Sequence, residues 1–305
     1  MAEPTSSNEQ TRCGFVALIG PPNAGKSTLM NALVGTKVSI VTHKVQTTRA
    51  LIRGIMLEGT AQVIFVDTPG LFDPKDRLQR AMVGTAWSGA ADADMVALIL
   101  DARKPVDEGV GQIVDKLATY SGPKLLILNK TDVTERGKLL ELAATLNERC
   151  EFQATFMISA LTEDGLQQLR GALAEAMPAG PWLYPEDQIS DLPMRQLAAE
   201  VTREKLFLRL HQELPYASTI ETESWQDQKN GSVRIEQCIY VRRDSQKKIV
   251  IGKGGQTIKA ISAAAREELS EMLERPVHLF LFVKVRENWV DDPERYREIG
   301  LEYPS

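Results

Sequence analysis

GPPNAGKS, residues 20–27, decides the fold of the amino-terminal half. The string has the form GxxxxGK[ST], in which backbone N–H groups and a helix N-terminus converge on phosphate. That geometry requires a strand before the loop and a helix after it. The flanks comply: FVALIG reads as a buried strand, and STLMNALVG reads as a helix closed by a glycine. Gly20 and Gly25 let the backbone approach phosphate oxygens without a Cβ in the way. Lys26 places a charge between the β- and γ-phosphates, and Ser27 offers a hydroxyl to Mg²⁺.

Three further motifs follow in a fixed order: DTPG at 67–70, NKTD at 129–132 and SAL at 159–161. Asp67 ends the strand AQVIFVD and is placed to hold the metal. Thr68, Pro69 and Gly70 follow it, and Gly70 supplies an unobstructed N–H where a γ-phosphate would sit. Asn129, Lys130, Thr131 and Asp132 read as the base-choosing segment. A carboxylate at Asp132 accepts from guanine N1–H and the 2-amino group, a donor pair that adenine lacks; if buried, it would reject adenine. The aliphatic stem of Lys130 is long enough to cover one face of the base. Ser159, Ala160 and Leu161 follow the strand TFMI, and the Ala160 N–H is expected to donate to guanine O6.

Between the phosphate loop and DTPG lies VTHKVQTTRA, residues 41–50. A hydroxyl there is expected to reach Mg²⁺ with GTP and to let go after hydrolysis. Thr48 is the first choice and Thr47 the alternative. The candidate catalytic set is then Lys26, Thr48, Asp67 and Gly70, with Ser27, Thr48 and Asp67 on the metal. Leu71 occupies the place where many GTPases keep a water-orienting glutamine. Leucine cannot orient water, so slow unaided turnover is expected. Asn23 admits two readings: a ligand for K⁺ that replaces a missing positive charge, or a turn residue that stabilises the loop.

The length, 305 residues, suggests two domains, and the net charge of −5 does not mark the whole chain as a nucleic-acid binder. Three scattered cysteines, Cys13, Cys150 and Cys238, without a CxxC spacing, argue against structural metal and disulfides and fit a reducing cytoplasm. His43, His211 and His278 stand singly and read as structural or surface residues. No apolar run approaches a membrane span, and residues 1–12 read as a disordered lead-in.

From residue 13 to 178, apolar runs alternate with helical patterns: FVALIG, ALIRGIML, AQVIFVD, MVALILD, KLLILN and ATFMIS, with helices at 27–34, 78–88, 107–120, 135–146 and 163–177. This alternation specifies an α/β fold with a mostly parallel six-stranded sheet covered on both faces. The two runs flanking Gly59-Thr60 read as a hairpin, which makes one edge antiparallel. All four motifs then follow strand C-termini, where open α/β sheets bind ligands. Residues 179–193 carry a cluster of prolines and read as a semi-rigid linker. The unit from 194 to 305 reads αββααβ, with Asn230-Gly231 turning a hairpin.

That second unit contains Gly252-Lys253-Gly254-Gly255, a GxxG opening a long helix. From Arg242 to Lys259 six basic residues face one acid, Asp244. A glycine loop inside a basic stripe of an acidic protein is a localised anion site. A GxxG clamps a single-stranded nucleic-acid backbone because glycines permit close phosphate approach. The candidate RNA contacts are Lys247, Lys248, Gly252, Lys253, Gly254, Gly255 and Lys259, with Ile251 and Ile258 as an apolar floor for bases.

The chain resembles the Era family of bacterial GTPases. The resemblance spans nearly the whole length and rests on GPPNAGKS, QTTR, DTPG, NKTD, SAL, ELPYAS, RDSQKKIVIGKGG and the closing WVDDPERYREIGLEY. It implies a GTPase domain followed by a KH domain of the second type with a carboxy-terminal extension, and nucleotide contacts that include Asn23, Ala24 and Thr28 of the phosphate loop. It also implies binding of GTP and GDP, and of small-subunit ribosomal RNA near its 3′ end, in assembly of the 30S subunit. Nucleotide state would control the grip on RNA. A cytoplasmic monomer, peripherally associated with the inner membrane, is the remaining implication. The competing readings are an RNA-binding adaptor with a degenerate GTPase fold, against which Lys26, Ser27, Asp67 and Asp132 all count, and a transfer-RNA or membrane GTPase, which would lack the GKGG unit.

Overall fold

The computed structural model describes residues 10–44, 48–49, 51–210, 214–216, 218–287, 296 and 301. Thr47, His211, most of the lead-in and most of the closing segment lie outside the described residues. The chain divides into two compact units, one comprising 1–38 and 48–191, the other 39–47 and 192–305.

In the first unit β1 (Arg12–Ile19), α1 (Lys26–Val34), β2 (Ile52–Glu58), β3 (Ala61–Asp67), α2 (Arg77–Ala91), β4 (Met95–Asp101), α3 (Glu108–Ala118), β5 (Lys124–Asn129), α4 (Arg136–Arg149), β6 (Ala154–Ile158) and α5 (Leu166–Ala176) follow in order. The sheet order is β2-β3-β1-β4-β5-β6. Only the β2–β3 pair is antiparallel, as the short Gly59-Thr60 connection requires. Alternation along β1 splits the core. Val16 and Leu18 face α1 and α5, packing with Leu29, Leu33 and Leu169, while Ala17 and Ile19 face the other layer with Val114, Leu126 and Leu146. Fully buried strands of this kind read as continuous apolar runs. Helix α5 starts three residues later than its apolar pattern implies. Glu163 and Gly165 both hold a left-handed φ, +62° and +77°, which breaks the helix before Leu166.

The proline-rich segment is fixed to the first unit by a side chain that its composition does not reveal. Gln62, fully buried, accepts from the N–H groups of Leu183 and Tyr184 at 2.9 and 3.0 Å and donates to the Tyr184 carbonyl at 2.8 Å. Trp182 donates to the Thr60 carbonyl at 3.0 Å, and Arg53 pairs with Asp191 at 2.6 Å.

The second unit comprises α6 (Met194–Arg209), β7 (Ser218–Asp227), β8 (Val233–Val241), α7 (Asp244–Ile251), α8 (Gln256–Met272) and β9 (Val277–Val285). This is the expected αββααβ order. β8 is central, antiparallel to β7 and parallel to β9. Helices α6 and α8 cover one sheet face through Val201, Phe207, Ile261, Ala265 and Leu269 against Val233, Ile235, Ile239 and Leu279. One polar pair sits inside: Thr202 donates to Gln237 at 2.6 Å, both fully buried.

Residues 39–44 follow α1 in sequence yet pack in this second unit. The Val41 N–H donates to the buried Glu204 carboxylate at 2.8 Å. The Lys44 ammonium donates to the carbonyls of Phe207 and Leu210 at the C-terminal end of α6, where helix carbonyls lack partners and a cation is favoured.

Candidate nucleotide site and glycine loop

The phosphate loop joins β1 to α1, and its shape is enforced by close packing. Gly25 has φ +98°, and a Cβ there would lie 2.2 Å from the Asn129 amide nitrogen. That amide is in use: it donates to the Ala24 carbonyl at 2.9 Å. The Lys26 ammonium, buried, donates to the Gly20 and Pro21 carbonyls at 3.1 Å each. Burial pushes its pKa down to about 8, against a smaller opposing pull from Asp67.

Ser27, Thr48 and Asp67 come from three separate segments and meet. Ser27 Oγ donates to Asp67 Oδ2 at 2.6 Å, Thr48 Oγ1 donates to the same oxygen at 3.2 Å, and the two hydroxyls lie 3.1 Å apart. A carboxylate and two hydroxyls gathered at one point form the hard oxygen set that Mg²⁺ takes. Thr68 anchors its loop by donating to the Leu18 carbonyl at 2.8 Å. Gly70 approaches Pro22 so closely that a Cβ would lie 2.9 Å from the Pro22 nitrogen. Leu71 points into the core, 4% exposed among Ala17, Ile19 and Ala86, so its side chain takes no part in positioning water.

The NKTD and SAL segments are tied together by Asn129. Its Oδ1 accepts from the N–H groups of Lys130 at 2.8 Å and Ala160 at 3.0 Å. Asn129 therefore braces three loops, and the Ala160 N–H expected to meet guanine O6 is bonded here to Asn129. Lys130 adopts φ +70°. Its ammonium donates to the Asn23 carbonyl at 2.7 Å and to Asp101 Oδ2 at 2.8 Å, stretching the stem along the loop. Asp132, whose rejection of adenine would require burial, is exposed here in a single 3₁₀ turn at Thr131–Val133. Ser159 is buried and accepts from the Thr162 N–H at 3.2 Å; Leu161 is 79% exposed at the rim.

Asp101 is a member of the site that the motifs do not include. Burial alone would raise its pKa, but bonds from Arg103 and Lys130 outweigh that and hold the carboxyl well below its usual range. Its signal in the sequence is positional. Asp101 ends β4 as Asp67 ends β3, and it lies beside Asn129 in the β4–β5 register.

In the second unit Gly252 ends α7 with φ +75° and ψ 172°, and a Cβ there would meet Thr257 Oγ1 at 2.2 Å. Lys248, Lys253 and Lys259 are exposed and Lys247 half-buried around the loop; Ile251 and Ile258 are half-buried. Ile249, which sequence reasoning did not single out, is 55% exposed one turn before the loop.

A strand–loop–helix phosphate site with a guanine-type base segment, followed by an αββααβ unit with a GxxG loop, defines a P-loop GTPase carrying a KH domain. Residues 15–130 match the family described as 50S ribosome-binding GTPase, and residues 213–290 match the KH domain family. GTPase Era of Afipia carboxidovorans is 66% identical over 302 residues, covering 99% of this chain and 98% of the relative. GTPase Era of Rhizobium meliloti is 66% identical over 97% of this chain and 94% of its own. The structure superposes with a TM-score of 0.90 on Aquifex aeolicus Era bound to GDP and AlF₄⁻, at 36% identity over 95% of this chain and 99% of that one. It superposes equally well, with a TM-score of 0.90, on Era in complex with MgGDPNP and nucleotides 1506–1542 of 16S ribosomal RNA. The chain belongs to the Era family of GTPases.

Proposed function

We propose that this protein binds and hydrolyses GTP, holds small-subunit ribosomal RNA near its 3′ end through the KH loop, and acts as a switch in 30S subunit assembly. The observation that carries the reading is the meeting of Ser27, Thr48 and Asp67 beside the buried Lys26, in a chain that also presents an exposed GKGG loop among lysines. The 16S RNA in the complex of an Era relative supports the choice of RNA.

Ser27, Thr48 and Asp67 would hold Mg²⁺, which when bound neutralises charge on the phosphate oxygens. Lys26 adds a fixed charge against the β- and γ-phosphates, and Gly70 offers its N–H to the γ-phosphate. Asp132 accepts from the guanine donors while Lys130, aimed by Asp101, lays its stem along the base. No water-orienting side chain stands at position 71, so unaided turnover is slow. K⁺ held by Asn23 is the candidate for the missing charge. Steady-state rates in K⁺ and in Na⁺, on the wild type and on Asn23→Ala, decide it: equal rates in both salts exclude the cation.

Nucleotide and RNA binding should be coupled. Support comes from chain continuity: residues 39–44 pack in the second unit, and Thr48, a few residues on, meets Ser27 and Asp67 in the first. A coupling of about 1–3 kcal/mol is expected, and it is reciprocal. RNA affinity measured with a non-hydrolysable GTP analogue, with GDP and without nucleotide tests it; identical values would leave two independent modules. Sequencing of RNA crosslinked to the protein in cells tests the substrate. The family resemblance adds a monomeric state, tested by light scattering, and peripheral association with the inner membrane, tested by sedimentation with vesicles. Among the described residues no helix is long and apolar enough to cross a membrane.

A further inference from the structure

Among the described residues, α6 and α8 pack on one face of the second unit's sheet. On the other, β9 presents His278, Phe280 and Phe282 at alternate positions, all exposed, with Phe280 41% and Phe282 47% accessible. Exposed aromatic rings in a row on a soluble domain are uncommon without a partner. His278 and Phe280 also line a shallow, solvent-open depression of about 600 Å³. Its lining has a consistent chemistry. Lys229, Arg234 and His278 are its basic groups, the amides of Gln228 and Asn230 sit with them, and among the described residues no carboxylate lines it. The Arg234 guanidinium lies 4.4 Å from the Phe280 ring centroid and is steadied by Glu236 at 2.7 Å. Lys229 pairs with no acid among the described residues.

We propose that this depression is a second RNA subsite, taking one or more unpaired nucleotides of the same strand that the GKGG loop clamps. A base stacks on the Phe280–Arg234 pair or on Phe282, because aromatic rings and guanidinium planes both accept any base face. Lys229 and His278 supply cationic and donor groups to the phosphates, and the amides supply hydrogen bonds to base edges. Among the described residues the lining carries Lys229 and Arg234 and no carboxylate, with Glu236 bonded to Arg234 at its edge, and this excess of positive charge favours a polyanion over a protein surface of mixed charge. The subsite is separate from the clamp. GKGG opens α8, whereas the depression lies where β8 and β9 begin, past the other end of that helix. At about 1.5 Å per residue, the 17 residues of α8 put roughly 25 Å between them. A strand long enough to reach both sites gains avidity that a short one cannot.

The inference rests on the reading of the GKGG loop as an RNA clamp, and the test separates the two. Two fluorescent oligouridylates are titrated into the full-length protein. One has about four nucleotides, the span of a GxxG clamp; the other is several times longer. The variants are Lys229→Glu with Arg234→Glu, and separately Phe280→Ala. All three positions carry exposed side chains, and unchanged thermal melting verifies the fold. The subsite predicts that the long oligomer binds the wild type more tightly than the short one. Each variant should lose about tenfold or more of the long-oligomer affinity, with short-oligomer and GTP-analogue affinities unchanged. A 4-thiouridine long oligomer should crosslink within residues 277–285. Equal long-oligomer affinity in wild type and variants, or crosslinks confined to 244–259, overturns the proposal. So does a variant that keeps its RNA affinity but no longer retains a ribosomal protein, which would make the face a protein-docking surface. A wild type that binds neither oligomer overturns the clamp reading and this inference with it.

Discussion

The two glycine loops use the same residue types under opposite physical constraints. In the phosphate loop Gly25 faces the buried Asn129 amide at a distance no Cβ tolerates, and Lys26 is buried and bonded to its own loop. In the KH loop Gly254 has nothing within 4 Å of a would-be Cβ, and Lys253 is exposed. The first loop is a mould finished before any ligand arrives, so its glycines are required by the protein itself. At Gly254 and Gly255 the second is open on the side where a strand would lie; there glycine answers to a left-handed φ, +59° and +77°, rather than to a close neighbour, and leaves room for the ligand. Preorganised sites discriminate sharply because misfit costs are fixed in advance; open clamps accept many sequences along a backbone.

The largest effects should therefore fall on crossed variants. Gly25→Ala should cost nucleotide binding about 3 kcal/mol or more, since it forces a strained φ and pushes Asn129 from Ala24. RNA affinity without nucleotide should remain. Lys253→Asp with Gly254→Asp should reduce RNA binding below detection and leave GTP affinity intact. Filter binding for RNA and a fluorescent GTP analogue read both. If Gly25→Ala also loses RNA binding, the contrast between two separately built loops breaks.

The mould was legible in the sequence, and the tethers around it were not. Strand runs such as VALIG and VIFVD announce buried parallel strands, and motif order places GPPNAGKS, DTPG, NKTD and SAL at their ends. What escaped depends on partners far along the chain. Asn129 reaches Ala24 and Ala160, Gln62 holds Leu183 and Tyr184, and residues 39–44 leave the unit their neighbours belong to. Local periodicity carries no information about such pairings. The KH loop was legible for a different reason: its glycines and its lysines lie together in a short stretch of sequence, so a GxxG inside a basic stripe isolates it without long-range partners.

Next in size is base choice. Asp132→Asn should weaken GTP by about 2–4 kcal/mol, from the cost of mispairing two donors, and should improve xanthine nucleotide binding. Because Asp132 is exposed, a loss below that range would show that base discrimination is shared with the braced backbone around Asn129. Competition binding with GTP and XTP measures it.

Asp101→Asn probes the brace rather than the contact. It keeps the shape and removes the charge that holds Lys130 and Arg103. The pair is half-exposed on the arginine side, and a loss of about 1 kcal/mol in GTP affinity is expected. Asp101→Asn with Lys130→Ala should cost little more than Lys130→Ala alone, which double-mutant analysis of nucleotide affinity would show. Full additivity would remove Asp101 from the nucleotide site.

The smallest effect is a pH dependence confined to the mould. Burial places the Lys26 pKa at about 8 in the fold, against 10.5 ordinarily. Between those values the unfolded chain holds the proton and the fold does not, so this residue makes stability rise with pH across that window. Nucleotide acts in the opposite sense. Its phosphates favour the ammonium, so binding above about pH 8 must take up a proton, and GTP affinity should fall as pH rises through that value. Calorimetry in two buffers of different ionisation enthalpy reads the uptake directly: near zero well below pH 8, approaching one proton above it. RNA binding without nucleotide is the control, since Lys248, Lys253 and Lys259 around the open loop are exposed. A proton uptake of the same size on RNA binding would mean that the titrating group is not Lys26, and the burial that distinguishes the two loops would not be what sets their response to pH.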